Sequence, residues 1–496
     1  MSSISRFGNP VGGREMSTQG QKVSRRSFLK ASAAVVGASL GGSLISSCAP
    51  TGTTPGPAAT AAPQQPSAVP GVPLTSKAIT LTFWVIPYWK GRTGKEEGGK
   101  ETDYYTWQIE EFSKKYPKAT INVEFVPSSF EGFAKFDAAV ASGNPPDVMW
   151  GQSGNHWKYA PQGAIEPLDE WMDPAAISDL LQPAKDICSY TDGKIYLWPY
   201  GMALAGGVFV NRDLFRKFGA LNVLPSGKER DWTTTQFEQA LKAATGKVEG
   251  QQIYGMALMT DWYYQPMQFF YGFGAELYNK YQTKMLLNSP EGVECLQWLV
   301  DLEQKQGWMA PGTAGRTNDN VLRLFQEQKV AIYPSQPYYI TAFRLQPELK
   351  PSFEWYFCQP PHKEGKSIGV EANIHGYLLA KQKDKDKLAV AAEFVKHLTR
   401  PEALEIAAWG QGVVPPLKSM ASILAGDQDR YVEAILAANA RPFSRLYGEI
   451  APKAITPALD AAFAKTKSPK EALDSMVADG NKILRATAEQ YGWPLD

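Results

Sequence analysis

From Ile79 to Ile86 the chain reads ITLTFWVI, a run of β-branched and aromatic residues that predicts a buried strand. After a Gly/Lys loop, Tyr105, Ile109, Phe112 and Tyr116 recur at spacings of four, three and four, which is one face of a helix, and Pro117 stops it. Ile121, Val123 and Phe125 alternate as a second strand. Phe133, Phe136 and Val140 mark a second helix, and Asp147 to Trp150 predicts a third strand. Strand and helix take turns, so this stretch predicts a βαβαβ unit with a parallel sheet and a ligand crevice at the strands' carboxyl ends.

Further along, Ser289-Pro290-Glu291 opens a helix that carries Val293, Leu296 and Val300. Thr399-Arg400-Pro401-Glu402 and Ser468-Pro469-Lys470-Glu471 read as capping boxes. Strand-like runs lie at Gly207 to Val210, Val330 to Tyr333, Phe353 to Phe357 and Gly376 to Ala380. No repeat of solenoid period is visible, which argues against an array architecture.

Length and composition narrow the class. The chain has 496 residues, 44% hydrophobic and 20% charged, enough for about two to four domains and more than one core. A formal net charge of +1 with no long basic run excludes a nucleic-acid binder, whose phosphate contacts require a Lys/Arg patch. Four cysteines are too few for a disulfide framework. The 14 Trp, 22 Tyr and 22 Phe are the unusual entry, because flat aromatics are binding platforms as well as core.

The N-terminus states a destination. Ser24-Arg25-Arg26-Ser27-Phe28-Leu29-Lys30 sets the twin arginines Arg25 and Arg26 before a mild apolar segment, the pattern of a twin-arginine export signal. Leu44-Ile45-Ser46-Ser47-Cys48 resembles a lipobox, with Cys48 as the lipid-attachment residue. Residues 1–47 are thus expected to be a removable signal. Their loss takes Arg6, Arg14, Lys22, Arg25, Arg26 and Lys30 against Glu15, and leaves a mature chain at −4. Residues 48–76 carry no charge and many prolines, a composition with nothing to pack, and predict a disordered tether.

In the folded part, the order of short segments is similar to that of the family 1 extracellular solute-binding proteins of ABC importers, the sugar-binding group that includes maltose-binding protein. The resemblance rests on Ser142-Gly143-Asn144-Pro145-Pro146-Asp147-Val148, Gly163-Ala164-Ile165-Glu166-Pro167-Leu168, Asp192-Gly193-Lys194-Ile195-Tyr196 with Pro199, and Val210-Asn211-Arg212-Asp213-Leu214-Phe215. It continues in Leu287-Asn288-Ser289-Pro290-Glu291-Gly292, in Phe325 to Ile332 (FQEQKVAI) and in Ala391 to Leu398 (AAEFVKHL). It implies an α/β, two-lobed periplasmic-binding-protein-like fold of type II-like topology, each lobe a mostly parallel sheet flanked by helices. By the same analogy, lobe 1 is expected over 77–204 with 350–417 and lobe 2 over 205–349 with 418–496. Gly201 to Gly207 (GMALAGG) is a first crossover on physical grounds, since glycines absorb backbone change.

Sugar rings offer an apolar face and a rim of hydroxyls, so their sites combine flat aromatics with planar polar groups. Candidate ligand contacts are Trp84, Tyr88 and Trp89 at the first strand, and Trp150, Gln152 and Asn155 after the third. Asp261 and Trp262 sit in the second lobe. Tyr338 follows another strand, and Glu371, Asn373 and His375 precede one. Trp409 and Arg441 are added, with core packing and a surface salt bridge as their alternatives.

Catalytic, metal and cofactor motifs are absent. Gly272-Phe273-Gly274 lacks the third glycine of a dinucleotide fingerprint, Pro360 stands where a P-loop needs Gly, and Gly151-Gln152-Ser153-Gly154 misses the nucleophile-elbow spacing. His156, His362, His375 and His397 show no paired metal spacing, and nothing selects a pair among Cys188, Cys295 and Cys358. The expectation is therefore a monomeric, lipid-anchored receptor on the outer face of the cytoplasmic membrane that delivers a mono- or oligosaccharide to an ABC permease, without enzymatic activity. Two rivals remain. A peptide or amine receptor would use Asp261 or Glu371 against an amino group. A secreted polysaccharide hydrolase would need two carboxyls roughly 5 to 10 Å apart.

Overall fold

The computed structural model describes residues 75–127 and 130–495. Arg25, Arg26, Cys48 and the tether up to residue 74 lie outside them. Eleven strands are present among the described residues: β1 Ile79–Val85, β2 Ala119–Phe125, β3 Val148–Gln152, β4 Trp198–Ala205, β5 Val208–Asn211, β6 Gly246–Val248, β7 Gln251–Met256, β8 Val330–Pro334, β9 Trp355–Cys358, β10 Glu371–Leu379 and β11 Arg441–Pro442.

The βαβαβ unit read from the sequence is present. β1 pairs in parallel with β2 on one side and β3 on the other, with helices Asp103–Lys115 and Phe130–Ala141 as the crossovers. Leu81, Phe83 and Val85 alternate inward from β1, and Phe83 meets Phe394 of helix Lys385–Leu398 edge to face at 5.2 Å. β10 extends this sheet beside β3, and β4 and β11 flank β10.

The second sheet has the order β6-β7-β8-β5-β9. Val208 and Val210 of β5 face a core built with Phe215, Phe237, Phe269 and Leu299, while Phe209 faces the opposite core with Tyr333 and Phe343. This two-sided burial explains why the strand reads as a continuous apolar run.

The sheets are mixed rather than mostly parallel, a correction to the expected topology: among the described residues four strand pairings are parallel and five antiparallel. The reason is the path of the chain. It leaves the first sheet along β4 and re-enters it along β10, so these two must run opposite ways.

Between β4 and β5 only Gly206 and Gly207 intervene, at φ of 152° and 127°. A side chain on Gly207 would collide with the Phe357 ring, so glycine here serves both the turn and the close approach. The return passes between Cys358 and Glu371, and a third passage follows Pro442, where Phe443 enters the core of the second sheet.

Three local readings are also corrected. Glu371 to His375 form the first half of β10 rather than a loop before it, because this segment finds partners in β4 and β11 or β3 on its two sides. Trp150 lies inside β3 and is 1% exposed. Thr399-Arg400-Pro401-Glu402 is not a capping box. Arg400 holds the cap position of helix Pro401–Gly410 without a side-chain bond, while Thr399 Oγ1 donates to Val395 O at 2.9 Å and closes the preceding helix. Ser468 and Glu471 do form the reciprocal box, and Ser289 caps its helix by accepting from Gly292 N.

Candidate ligand cleft

A cleft of about 800 Å³ opens where the carboxyl ends of β1 and β2 face the helix that follows β8, a volume within the usual range for small-molecule sites. One wall is the loop after β1, with Pro87, Tyr88, Trp89, Lys90 and Glu96, together with Glu101 and Phe125 to Pro127. The other is the end of helix Tyr338–Leu345, with Thr341, Leu345, Gln346 and Glu348. Gly94 meets Gly410 so closely that a Cβ on it would lie 3.1 Å from the Gly410 Cα, which docks the loop onto helix Pro401–Gly410. Two smaller hollows, of about 660 Å³ along 222–239 and about 280 Å³ beside Trp298, are each lined from the second-sheet side alone.

The aromatic wall is rigid because each ring is backed by another. Tyr88 stacks on His375 with ring centroids 5.0 Å apart and planes 12° from parallel, and Trp150 sits 5.4 Å from Tyr88 and 5.3 Å from His375. Trp150 Nε1 donates to the Tyr200 hydroxyl at 3.2 Å. Burial pushes the His375 pKa down to about 3, so the ring is neutral at ordinary pH. Gln411 Nε2 lies 2.9 Å from His375 Nδ1; an amide N–H donates, so Nδ1 accepts and the ring proton sits on Nε2. Trp89 is held by donation from Nε1 to Arg92 O at 3.2 Å and by Tyr104 at 4.6 Å.

Behind the cleft lies a buried ion pair. Arg430 Nη1 is 3.0 Å from Glu433 Oε2, and both side chains are fully buried. The guanidinium also donates to Ala408 O at 3.0 Å and Val413 O at 2.8 Å, and its Nη1 lies 3.5 Å from Thr341 Oγ1 on the opposite wall. Burial raises the Glu433 pKa to about 7. On the outer side, Arg344 ties the same wall to Asp427 and Asp429, each at 2.6 Å.

Of the residues singled out by sequence, Tyr88 and Trp89 line the cleft, and Tyr338 supports it by accepting from Gln346 Nε2 at 2.8 Å. Trp150 and His375 stand behind Tyr88. Gln152 and Asn373 form a polar pair on β3 and β10 at 3.0 Å, and Asn155 Oδ1 accepts from Gln152 N. Trp84 lies apart, packed on Phe136 at 5.8 Å with Lys135 Nζ 4.3 Å over its ring.

The remaining candidates are engaged elsewhere. The Asp261 carboxylate accepts from Asn318 N and Trp262 N, and burial raises its pKa. Trp262 sits 5.5 Å from Tyr264, half-buried. Glu371 is 1% exposed and accepts from Tyr263. Trp409 lies beside Arg430, and Arg441 pairs with Glu276 at 2.8 Å, the surface salt bridge given above as its alternative.

Glu101, Phe125, Gln346 and Glu348 line the cleft but were not among the candidate ligand contacts. Phe125 and Glu101 border the carboxyl ends of the first two strands, where a crevice was already expected. Gln346 and Glu348 follow a helix end that no local pattern distinguishes. Cys188, Cys295 and Cys358 are all buried and unbridged. No helix among the described residues is long and apolar enough to cross a membrane, and no group of three His, Cys, Asp or Glu side chains among them is placed to hold a metal.

Two sheets, a chain that passes between them three times and a ligand-sized cleft where they face each other define a two-lobed binding protein. The chain belongs to the bacterial extracellular solute-binding protein family, whose model matches residues 98–405. Its fold is that of sugar-binding members. The cyclic alpha-maltosyl-1,6-maltose binding protein of Arthrobacter globiformis is 19% identical, with a TM-score of 0.67 over 82% of this chain and 99% of that one. The sugar-binding protein MalE of Xanthomonas citri is also 19% identical, with a TM-score of 0.67 over 84% and 100%. An ABC substrate-binding protein of Listeria monocytogenes in complex with cycloalternan is 19% identical, with a TM-score of 0.61 over 82% and 98%.

Proposed function

We propose that this protein captures a mono- or oligosaccharide in the cleft between its lobes and delivers it to an ABC permease, without covalent chemistry. The observation that carries the proposal is the wall made by Tyr88 and Trp89. Two flat rings, braced from behind and bordered by Gln346, Glu101 and Glu348, match the apolar face and hydroxyl rim of a sugar. The ligands named for the structural relatives, cyclic alpha-maltosyl-1,6-maltose and cycloalternan, are saccharides and support the same reading. The lobes expected over 77–204 with 350–417 and over 205–349 with 418–496 are proposed with their divisions moved to Gly206–Gly207, between Cys358 and Glu371, and after Pro442, because β9 pairs in the second sheet and β11 in the first. Export through Arg25 and Arg26, anchoring by lipid on Cys48 and action as a monomer complete the proposal.

Isothermal titration against a panel of mono-, malto- and manno-oligosaccharides tests it. Heat of binding to at least one sugar is expected, and silence across the panel would sink the carbohydrate assignment. An amine-bearing solute is the second reading. It is favoured by Glu101 and Glu348, two carboxylates on opposite walls with no ion pair among the described residues. A panel extended to amino sugars and polyamines separates the two.

A further inference from the structure

Glu371 and its neighbour Ala372 lie where all three passages between the lobes run side by side. In the first sheet it pairs with Ala205 of β4 on one side and Arg441 of β11 on the other. Ala205 precedes the crossing at Gly206–Gly207, Glu371 follows the return from β9, and Arg441–Pro442 precede the third passage. From the second lobe, Tyr263 reaches across and donates its hydroxyl to Glu371 Oε2 at 3.0 Å. The other carboxyl oxygen, Oε1, is buried with no hydrogen-bond partner.

We propose that Glu371 is a positioning residue for solute capture: as a neutral carboxylic acid it ties β10 to Tyr263 across the hinge, so that the lobes come together with uptake of one proton. The proposal concerns the motion and rests on the receptor reading only for what that motion encloses.

Among the described residues no cation forms an ion pair with Glu371 or hydrogen-bonds its carboxyl, although the Nε of its ladder partner Arg441 is buried without a partner. Tyr263, Tyr264, Tyr271 and Tyr278 face it from the second lobe, and burial keeps all four neutral by raising their pKa values. Arg441, its neighbour on β11, directs its guanidinium to Glu276 at 2.8 Å and over Tyr271 instead. Ala205 brings no charge from β4. A carboxylate here would exchange its hydration for one tyrosine hydroxyl, and burial accordingly raises the Glu371 pKa to about 8. Opening the hinge parts Glu371 from Tyr263 and admits water, which returns the acid toward its ordinary value of 4.5. Between pH 4.5 and 8 the joined state therefore holds the extra proton, and raising the pH favours the parted state. A carboxyl with these two values lowers the ratio of joined to parted molecules roughly a hundredfold between pH 6 and pH 9.

The test needs no sugar, so its outcome is independent of the ligand assignment. Spin labels are placed on Lys383→Cys in the first lobe and Lys247→Cys in the second, in a full-length Cys48→Ser background. The other native thiols are buried. Inter-lobe distances are read by double electron–electron resonance at pH 6 and pH 9, in the otherwise wild-type protein and in Glu371→Gln. Glu433, the other buried acid raised into this range, titrates in both proteins alike. A shift to longer distances at pH 9 in the wild type but not in Glu371→Gln supports the proposal. Identical wild-type distributions at the two pH values, or an equal shift in Glu371→Gln, overturn it. Infrared difference spectra give a second reading: a protonated-carboxyl band at pH 6 that is missing from Glu371→Gln is expected, and its absence from the wild type overturns the proposal without reference to distances.

Discussion

Tyr88 lies parallel to His375, the two rings 5.0 Å apart, although 287 positions separate them in the chain. His375 is a residue of β10, neutral and fixed by Gln411, so it gives the tyrosine a flat, uncharged backing instead of water. The exposed face of Tyr88 is thereby held at the cleft without help from a ligand, which lowers the ordering cost of binding.

Tyr88→Ala is therefore expected to weaken binding of the best sugar in the panel by about tenfold or more, roughly 1.5 kcal/mol, with little change in melting temperature. Calorimetry and a thermal melt on the same preparation check this. Unchanged affinity would remove Tyr88 from the ligand contacts.

Trp150→Ala should behave in the opposite way. Its indole is 1% exposed within β3 and donates to Tyr200, so truncation leaves a cavity and costs about 3 to 5 kcal/mol of stability. Urea denaturation reads this directly, and any loss of binding should follow the loss of folded protein.

The buried histidines make the fold acid-sensitive. Burial lowers the pKa of His156 and of His375 to about 3, against 6.5 when exposed. Their contribution is full above pH 6.5 and is lost as the pH falls toward 3, because the unfolded chain takes up the protons. Each should cost about 2 kcal/mol by pH 5. Glu371 and Glu433 change in the other direction and gain stability on acidification, so a single curve mixes both signs. The cleaner measurement compares wild type with His375→Phe: the variant should lose about 2 kcal/mol less between pH 7 and pH 5. Parallel curves would contradict the neutral-histidine assignment.

Arg430 and Glu433 should show strong non-additivity. Arg430→Met leaves Glu433 buried without its cation, driven to the protonated form and still short of hydrogen-bond partners, and is expected to cost about 3 to 5 kcal/mol, whereas Arg430→Met with Glu433→Leu removes both polar groups and should recover most of that. Chemical denaturation of the single and double variants forms the test. A double variant no more stable than Arg430→Met alone would mean that the pair acts mainly through the carbonyls of Ala408 and Val413.

The first-lobe elements were legible because each carries its own one-sided pattern. β1, β2 and their helices alternate buried and exposed positions in step with strand and helix periods. Glu371 to His375 hid in plain view: Glu, Asn and His at alternate positions look like a loop, and only the partners on either side make them a strand. Trp150 was visible as an aromatic near the crevice, but whether its ring meets ligand or core depends on the distant Tyr88, Tyr200 and His375. The wall at Gln346 and Glu348 left no trace at all, since its place in the cleft is set by how one lobe faces the other. Thr399 shows the limit of motif spacing, because its hydroxyl had a nearer carbonyl to bond at the end of the preceding helix.

The three passages between the sheets also govern how this protein can be cut and rejoined. Each half is assembled from stretches far apart in the gene, so no single truncation yields either half, and a fragment ending near Gly206 would lack β10 and β11 of its own sheet. New termini or an inserted reporter domain are better placed in exposed turns within one half, such as Glu249–Gly250 between β6 and β7, where the three connecting strands stay whole. A sensor made there would take its signal from the hinge while leaving the hinge uncut.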